Sequence, residues 1–124
     1  MDIDIQENKE NMRISFTGKA TAEAAAEIRD ALSEALQKSH SVLLDVAGIE
    51  KADVSFLQLL ISAEKTAQIS DKTIQIDPSA YSEGLISAAV HGGFCREEEY
   101  QSSDSMHSIL ADYYSSVMQE ASNG

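Results

Sequence analysis

The residues with the clearest chemical potential lie in the stretch VLLDVAGIEKADVSFLQLL, where an apolar strand pattern gives way to an apolar helix pattern. Between the two stand Asp53 and Ser55, an acid and a hydroxyl two positions apart. The first amides of a helix lack intrahelical partners and the helix dipole is positive there, so an anion at that point is stabilised. A phosphate on Ser55 would gain from that placement, and its addition or removal changes the local charge by nearly two units, which suits a switch. A plainer role competes with this one. Ser55 and Gln58 satisfy the S-x-x-Q capping box, with Val54 and Leu59 spaced as its hydrophobic staple, so the serine would simply start the helix. The two roles exclude each other. A capping serine has its oxygen occupied, whereas Asp53 as the cap leaves the Ser55 hydroxyl free in the first turn.

Other reactive side chains are less well arranged. Asp45 interrupts the apolar run of the central strand, and a buried carboxylate there needs hydrogen-bond partners or shifts toward neutrality. No histidine, lysine or second acid is spaced to complete a catalytic site with it. His91 and Cys95 stand four apart with Glu97, Glu98 and Glu99 following, but Gly92 and Gly93 break the helix that would align them for a metal. That glycine pair also lacks the lysine and hydroxyl of a phosphate-binding loop and reads as a helix cap. His40 and His107 read as isolated surface side chains. The residues therefore lead us to expect no catalytic residue, no metal and no cofactor.

Charge narrows the partners. Nine basic against twenty-one acidic residues leave a net charge of -12, a field that repels phosphate backbones and anionic lipid. The longest apolar run, Phe56 to Ile61, is broken by Gln58 and falls far short of the roughly 18 residues of a membrane span. The opening MDIDIQENKE lacks the basic and apolar segments of a secretory signal, and the single Cys95 suits a reducing compartment. The expectation is a cytoplasmic protein without nucleic-acid or membrane-inserted partners.

Elements to position Asp53 and Ser55 follow from periodicity. Ile3 and Ile5, then Met12, Ile14 and Phe16, alternate with polar residues, which predicts two strands paired as a hairpin across Glu7 to Asn11. Thr21 is placed to cap a helix carrying Ala25, Ile28, Leu32 and Leu36 on one side and Glu23, Glu27, Asp30 and Glu34 on the other, with Glu34 and Lys38 paired. Val42, Leu43, Leu44 and Val46 predict a central strand covered by helices on both sides. A helix over Ser55 to Ile69 begins apolar all round and turns polar at Glu64, Lys65 and Gln68. Thr73 to Asp77 reads as a strand stopped by Pro78, Ser82 to His91 as a short helix, and Phe94 and Cys95 as the start of a further short strand. Met106, Ile109, Leu110, Tyr113 and Val117 predict a last helix at about 104–120. The stripe Tyr113, Tyr114, Val117 and Met118 reads as core or homodimer packing, with a partner-helix groove as the alternative. At 124 residues one core is expected, so residues 1–124 read as a single α/β domain with right-handed parallel crossovers.

The segment LLDV, then Ile49, then DVSF, with FLQLL after it, resembles the STAS family, the domain shared by sulfate transporters and anti-sigma factor antagonists. The resemblance covers most of the chain and implies a mixed sheet of four or five strands beside about four helices. It also implies a regulatory protein-protein interaction module. In the antagonists, the serine aligned with Ser55 is phosphorylated by a partner kinase that is also the anti-sigma factor, and the unmodified form binds that partner. Ser55 would then be the phosphoacceptor, with Asp53 orienting it or assisting the kinase. Asp53, Val54, Ser55 and Phe56, the turn at Gly18 to Thr21 including Lys19, and the Pro78 to Ser82 segment including Ser79 would form the docking face. The chain departs from the family pattern where Val54 replaces a small hydroxyl residue and Phe56 replaces glycine. A large ring beside the acceptor either obstructs a kinase or anchors a partner. The alternative function is a STAS-like adaptor of a chemotaxis or transport assembly without a phosphorylation switch.

Overall fold

The computed structural model describes residues 1–8, 11–91, 109, 110, 113 and 114. The alternating segments form the expected antiparallel hairpin of β1 (Asp2–Asn8) and β2 (Asn11–Ala20), with Ile3 opposite Phe16 and Ile5 opposite Ile14. Next come α1 (Ala25–Lys38), β3 (Ser41–Ala52), α2 (Val54–Ile69), β4 (Thr73–Ile76) and α3 (Glu83–His91). β3 pairs in parallel with β2 and with β4, giving a mixed sheet in the order β1-β2-β3-β4. α1 and α2 are the crossover helices that such parallel neighbours require.

The core lies on one face of the sheet. Ile14 and Phe16 of β2, Val42 and Leu44 of β3 and Ile76 of β4 share one buried cluster with apolar residues of all three helices. β3 departs from the sequence expectation here. Its burial alternates, so Leu43 and Asp45 sit half-buried on the opposite face beside Arg13 and Ser15. Among the described residues that face is polar and only partly covered, and the run Val42 to Val46 reads as apolar throughout only because Leu43 adds a large aliphatic side chain to it. Glu64 is a second correction. It is expected on the wet half of α2 but is buried, at 9% exposure, and engaged with a partner.

Two extra residues in β3 adjust the edge where the helices begin. Ser15 pairs with Asp45, Thr17 with Gly48 and Lys19 with Lys51, so β3 gains one residue on β2 at each of two bulges. Bulges of this kind re-aim a strand. They also correct the turn expected at Gly18 to Thr21. β2 continues through Gly18 and Lys19 to Ala20, and Gly18 takes φ +108° at the second bulge, a conformation that favours glycine.

α3 crosses this bulged stretch at very close range. A Cβ on Gly84 would stand 2.7 Å from the Glu50 carbonyl oxygen and 3.2 Å from the Lys51 Cα. Only a bare backbone lets the helix sit there. Ile109, Leu110 and Tyr113 are buried in the same core, and these residues and Tyr114 are helical. The remainder of the helix expected at about 104–120, the strand at Phe94 and Cys95 and the glycine pair lie outside the described residues.

Candidate functional site

Asp53 occupies the cap position before α2 in an extended conformation, and its Oδ1 accepts from the Ser55 amide at 3.0 Å and the Phe56 amide at 3.4 Å. The same carboxylate reaches backward. Its Oδ2 accepts from the Ala22 amide at 3.0 Å, at the start of the 3-10 turn Ala22–Ala24 that leads into α1. Its own amide donates to the Ala20 carbonyl at 3.2 Å. The side chain therefore ties the start of α2 to the approach to α1, and the backbone amide of the same residue adds the end of β2. Thr21 precedes the 3-10 turn but makes no side-chain cap bond, and α1 itself begins only at Ala25, so the capping expected of Thr21 falls to Asp53.

With Asp53 as the cap, the capping-box reading of Ser55 is set aside. Ser55 is the second residue of α2, half-buried, and its hydroxyl has no hydrogen-bond partner among the described residues. Val54 projects beside it at 47% exposure. Phe56 does not. Its ring is fully buried and packs edge-on against Phe16, with centroids 5.5 Å apart. The aromatic thus neither obstructs Ser55 nor offers itself to a partner, because the 100° step between successive helix residues turns position 56 inward. Phe56 leaves the partner-binding set for the core.

The other expected contact residues divide. Gly18 and Lys19 line an open cleft of about 500 Å³ with Thr21, Glu23, Glu27 and Glu50. Ser79 is exposed on the loop after β4, where its amide and hydroxyl both donate to Asp77 Oδ1, at 2.9 and 2.7 Å. That loop and the start of α2 both follow carboxyl ends of parallel strands, but β4 ends level with Leu44 whereas β3 runs on to Ala52.

Sequence reasoning did not find the groups that fix the loop. Arg13 Nη2 donates to Asp45 at 2.9 Å and to Asp77 at 3.0 Å across the polar face. Asp45 also accepts from the Ala47 amide at 3.1 Å, so its carboxylate is partnered rather than stranded in an apolar core. Hydrogen bonds from the Ser79 hydroxyl, with help from the Ser79 amide and Arg13, hold the Asp77 carboxyl below its usual range against the opposing effect of burial. The same two carboxylates, Asp77 foremost, raise the already high pKa of Arg13. At the other end of the loop the buried Tyr113 hydroxyl donates to the Ala80 carbonyl at 2.7 Å and accepts from the Ser82 amide at 3.0 Å. Burial pushes the Tyr113 phenol up. Ser82 Oγ caps α3 by accepting from Leu85 and donates to the Ile49 carbonyl, both at 3.1 Å. The only local signal for any of this was strand alternation, which places Arg13 on the polar face.

The model of the family described as Mlab, STAS domain, matches residues 3–82. The chain belongs to the STAS family. Among curated proteins none matches. Of solved structures, the Bacillus cell fate determinant SpoIIAA in its phosphorylated form is similar with a TM-score of 0.60 and 14% identity, covering 82% of this chain and 97% of that one. The anti-sigma factor antagonist SpoIIAA in its unphosphorylated form gives 0.54 and 14%, covering 60% and 71%. Mglu gives 0.55 and 16%, covering 64% of this chain and 20% of that one. At such identities the likeness is one of fold. None of the helices in the described residues is long and apolar enough to cross a membrane.

Proposed function

We propose that this STAS domain is a non-catalytic, cytoplasmic regulatory module that docks a protein partner through the start of α2 and is switched by phosphorylation of Ser55. The observation that carries the reading is the division of labour at that helix start: Asp53 takes the capping role, which leaves the Ser55 hydroxyl half-exposed and unpartnered among the described residues. Exposed Val54 beside it supplies contact surface, and Lys19 and Ser79 are exposed as well. The partner is a serine kinase or anti-sigma factor, in keeping with the likeness to SpoIIAA, which is described as an anti-sigma factor antagonist and is known in both phosphorylated and unphosphorylated forms.

Phosphate at Ser55 would gain from the helix dipole, yet Asp53 already occupies the amides of Ser55 and Phe56. The new anion would compete with that carboxylate, and a displaced Asp53 would release Ala22 as well. That competition favours a second reading, in which the domain is a constitutive adaptor of a chemotaxis or transport assembly and carries no phosphate. Two measurements decide. Ser55→Glu is expected to weaken binding to a kinase-like partner about tenfold or more while Ser55→Ala binds as wild type, and intact mass of the protein isolated from its native cell should show the phosphorylated species. Equal affinity of the two variants, with no phosphorylated species, would leave the adaptor reading.

A further inference from the structure

We propose that Tyr81 is a preorganised anchor that receives an arginine or lysine side chain of the protein partner on its ring. The inference rests on the reading of the domain as a docking module and gives one residue of the Pro78 to Ser82 segment a specific guest. Tyr81 lies between Ala80 and Ser82, which are 6% and 2% exposed, yet its own exposure is 55%. A single exposed aromatic is ordinary; one on a loop tied at every side is not. The Asp77 amide donates to the Leu44 carbonyl at 2.8 Å, the Ala80 amide to the Asp77 carbonyl at 3.0 Å, and Tyr113 clamps both neighbours of Tyr81. Ser82 then pins the loop to β3 and starts α3. The ring is thus held out in water by a backbone that has little freedom left to lose on binding, the condition under which an aromatic contributes most to an interface.

The surroundings choose the guest. Asp77 stands four residues before Tyr81 and exposed Glu83 two after, in a chain of net charge -12. A cation set on the electron-rich face of Tyr81 is attracted by the ring and by exposed Glu83 in a chain of net charge -12, while Asp45 and Asp77 already share Arg13. Nucleic acid and anionic lipid meet the opposite field. Ile69, 87% exposed at the last position of α2, is the natural control, since it is exposed and apolar but lies at the opposite end of that helix from Val54 and Ser55.

The test uses the full chain in its native cell with a photoreactive benzoylphenylalanine at position 81, 54 or 69, followed by affinity measurements with the trapped protein after purification. The same protein is expected from positions 81 and 54 but not from 69. Its affinity should fall about tenfold for Tyr81→Ala and for Tyr81→Leu, which keeps bulk but loses the ring, and change little for Tyr81→Phe. Glu83→Lys should weaken binding as well. Trapping from 54 with Tyr81→Ala within about twofold of wild type overturns the anchor and leaves the docking module standing, whereas trapping from neither position sinks both. Wild-type affinity for Tyr81→Leu, or tighter binding by Glu83→Lys, overturns the cationic guest.

Discussion

The starts of α2 and α3 lie on the same edge of the sheet and solve the same problem in different ways. At α2 one carboxylate, Asp53, satisfies the first amides and reaches across to Ala22, while the anchoring comes from Phe56 two residues into the core. At α3 a buried serine cap, a buried tyrosine hydroxyl and the bare backbone of Gly84 share the task. A helix start held by one partly exposed charge can have its neighbouring hydroxyl addressed by a partner or a kinase. One held by buried polar groups fixes a loop in place. The first arrangement suits a switch and the second a rigid platform.

The largest effect that would sharpen this contrast is expected from Phe56→Ala, which removes the ring packed against Phe16 and should cost about 3–5 kcal/mol in urea unfolding. A cost below about 1 kcal/mol would place the ring outside the core after all. Tyr113→Phe is next. It keeps the apolar ring but strips the hydroxyl from the Ser82 amide and the Ala80 carbonyl, leaving buried groups unpaired at a cost of about 1–3 kcal/mol. A neutral Tyr113→Phe would break the comparison, because the α3 platform would then not depend on its polar clamp. Asp53→Ala should cost about 1 kcal/mol, with Asp53→Asn intermediate, since an amide oxygen still caps but lacks the charge. Backbone amide exchange locates the change: both the Ala22 and the Ser55 to Phe56 amides should lose protection together. Loss at only one helix start would show that the carboxylate does not couple them.

The same contrast separates what could be read from the sequence from what could not. The hairpin, the parallel crossovers and α2 were legible because apolar residues recur at periods of 2 and 3.6 over whole segments. Asp53 and Ser55 were legible because a cap acts within three residues of itself. Choosing between them was not, since both satisfy the local rule and only the approach of Ala22, thirty-one residues away, gives Asp53 a second partner. Phe56 was misassigned for a related reason: an exposed role was inferred from its neighbour in sequence, although adjacent helix positions face different ways. The α3 clamp was invisible because Tyr113, Ser82 and Ile49 meet only through the fold. Asp45 looked anomalous on a strand read as buried on both faces, and it became ordinary once Arg13 came beside it on the polar one.

Asp77 gives the smallest and most specific test of the platform. Hydrogen bonds from Ser79 and Arg13 hold its folded pKa below the ordinary carboxylate value, so in the acid range the unfolded chain binds its proton more readily than the native one. The resulting stabilisation is fully present above that ordinary value, about 4, and is lost as pH falls through the depressed folded value. Wild type should therefore exceed Asp77→Asn in stability by a constant margin from about pH 7 to pH 5, with the margin shrinking as the pH falls through the acid range. Urea titrations of both proteins across that range supply the margin directly, and taking the difference cancels the other acids. A margin that stays constant into acid would mean that Asp77 titrates alike in the folded and unfolded chains, and the loop would then owe its fixed geometry to its backbone bonds, Tyr113 and Ser82 without the carboxylate.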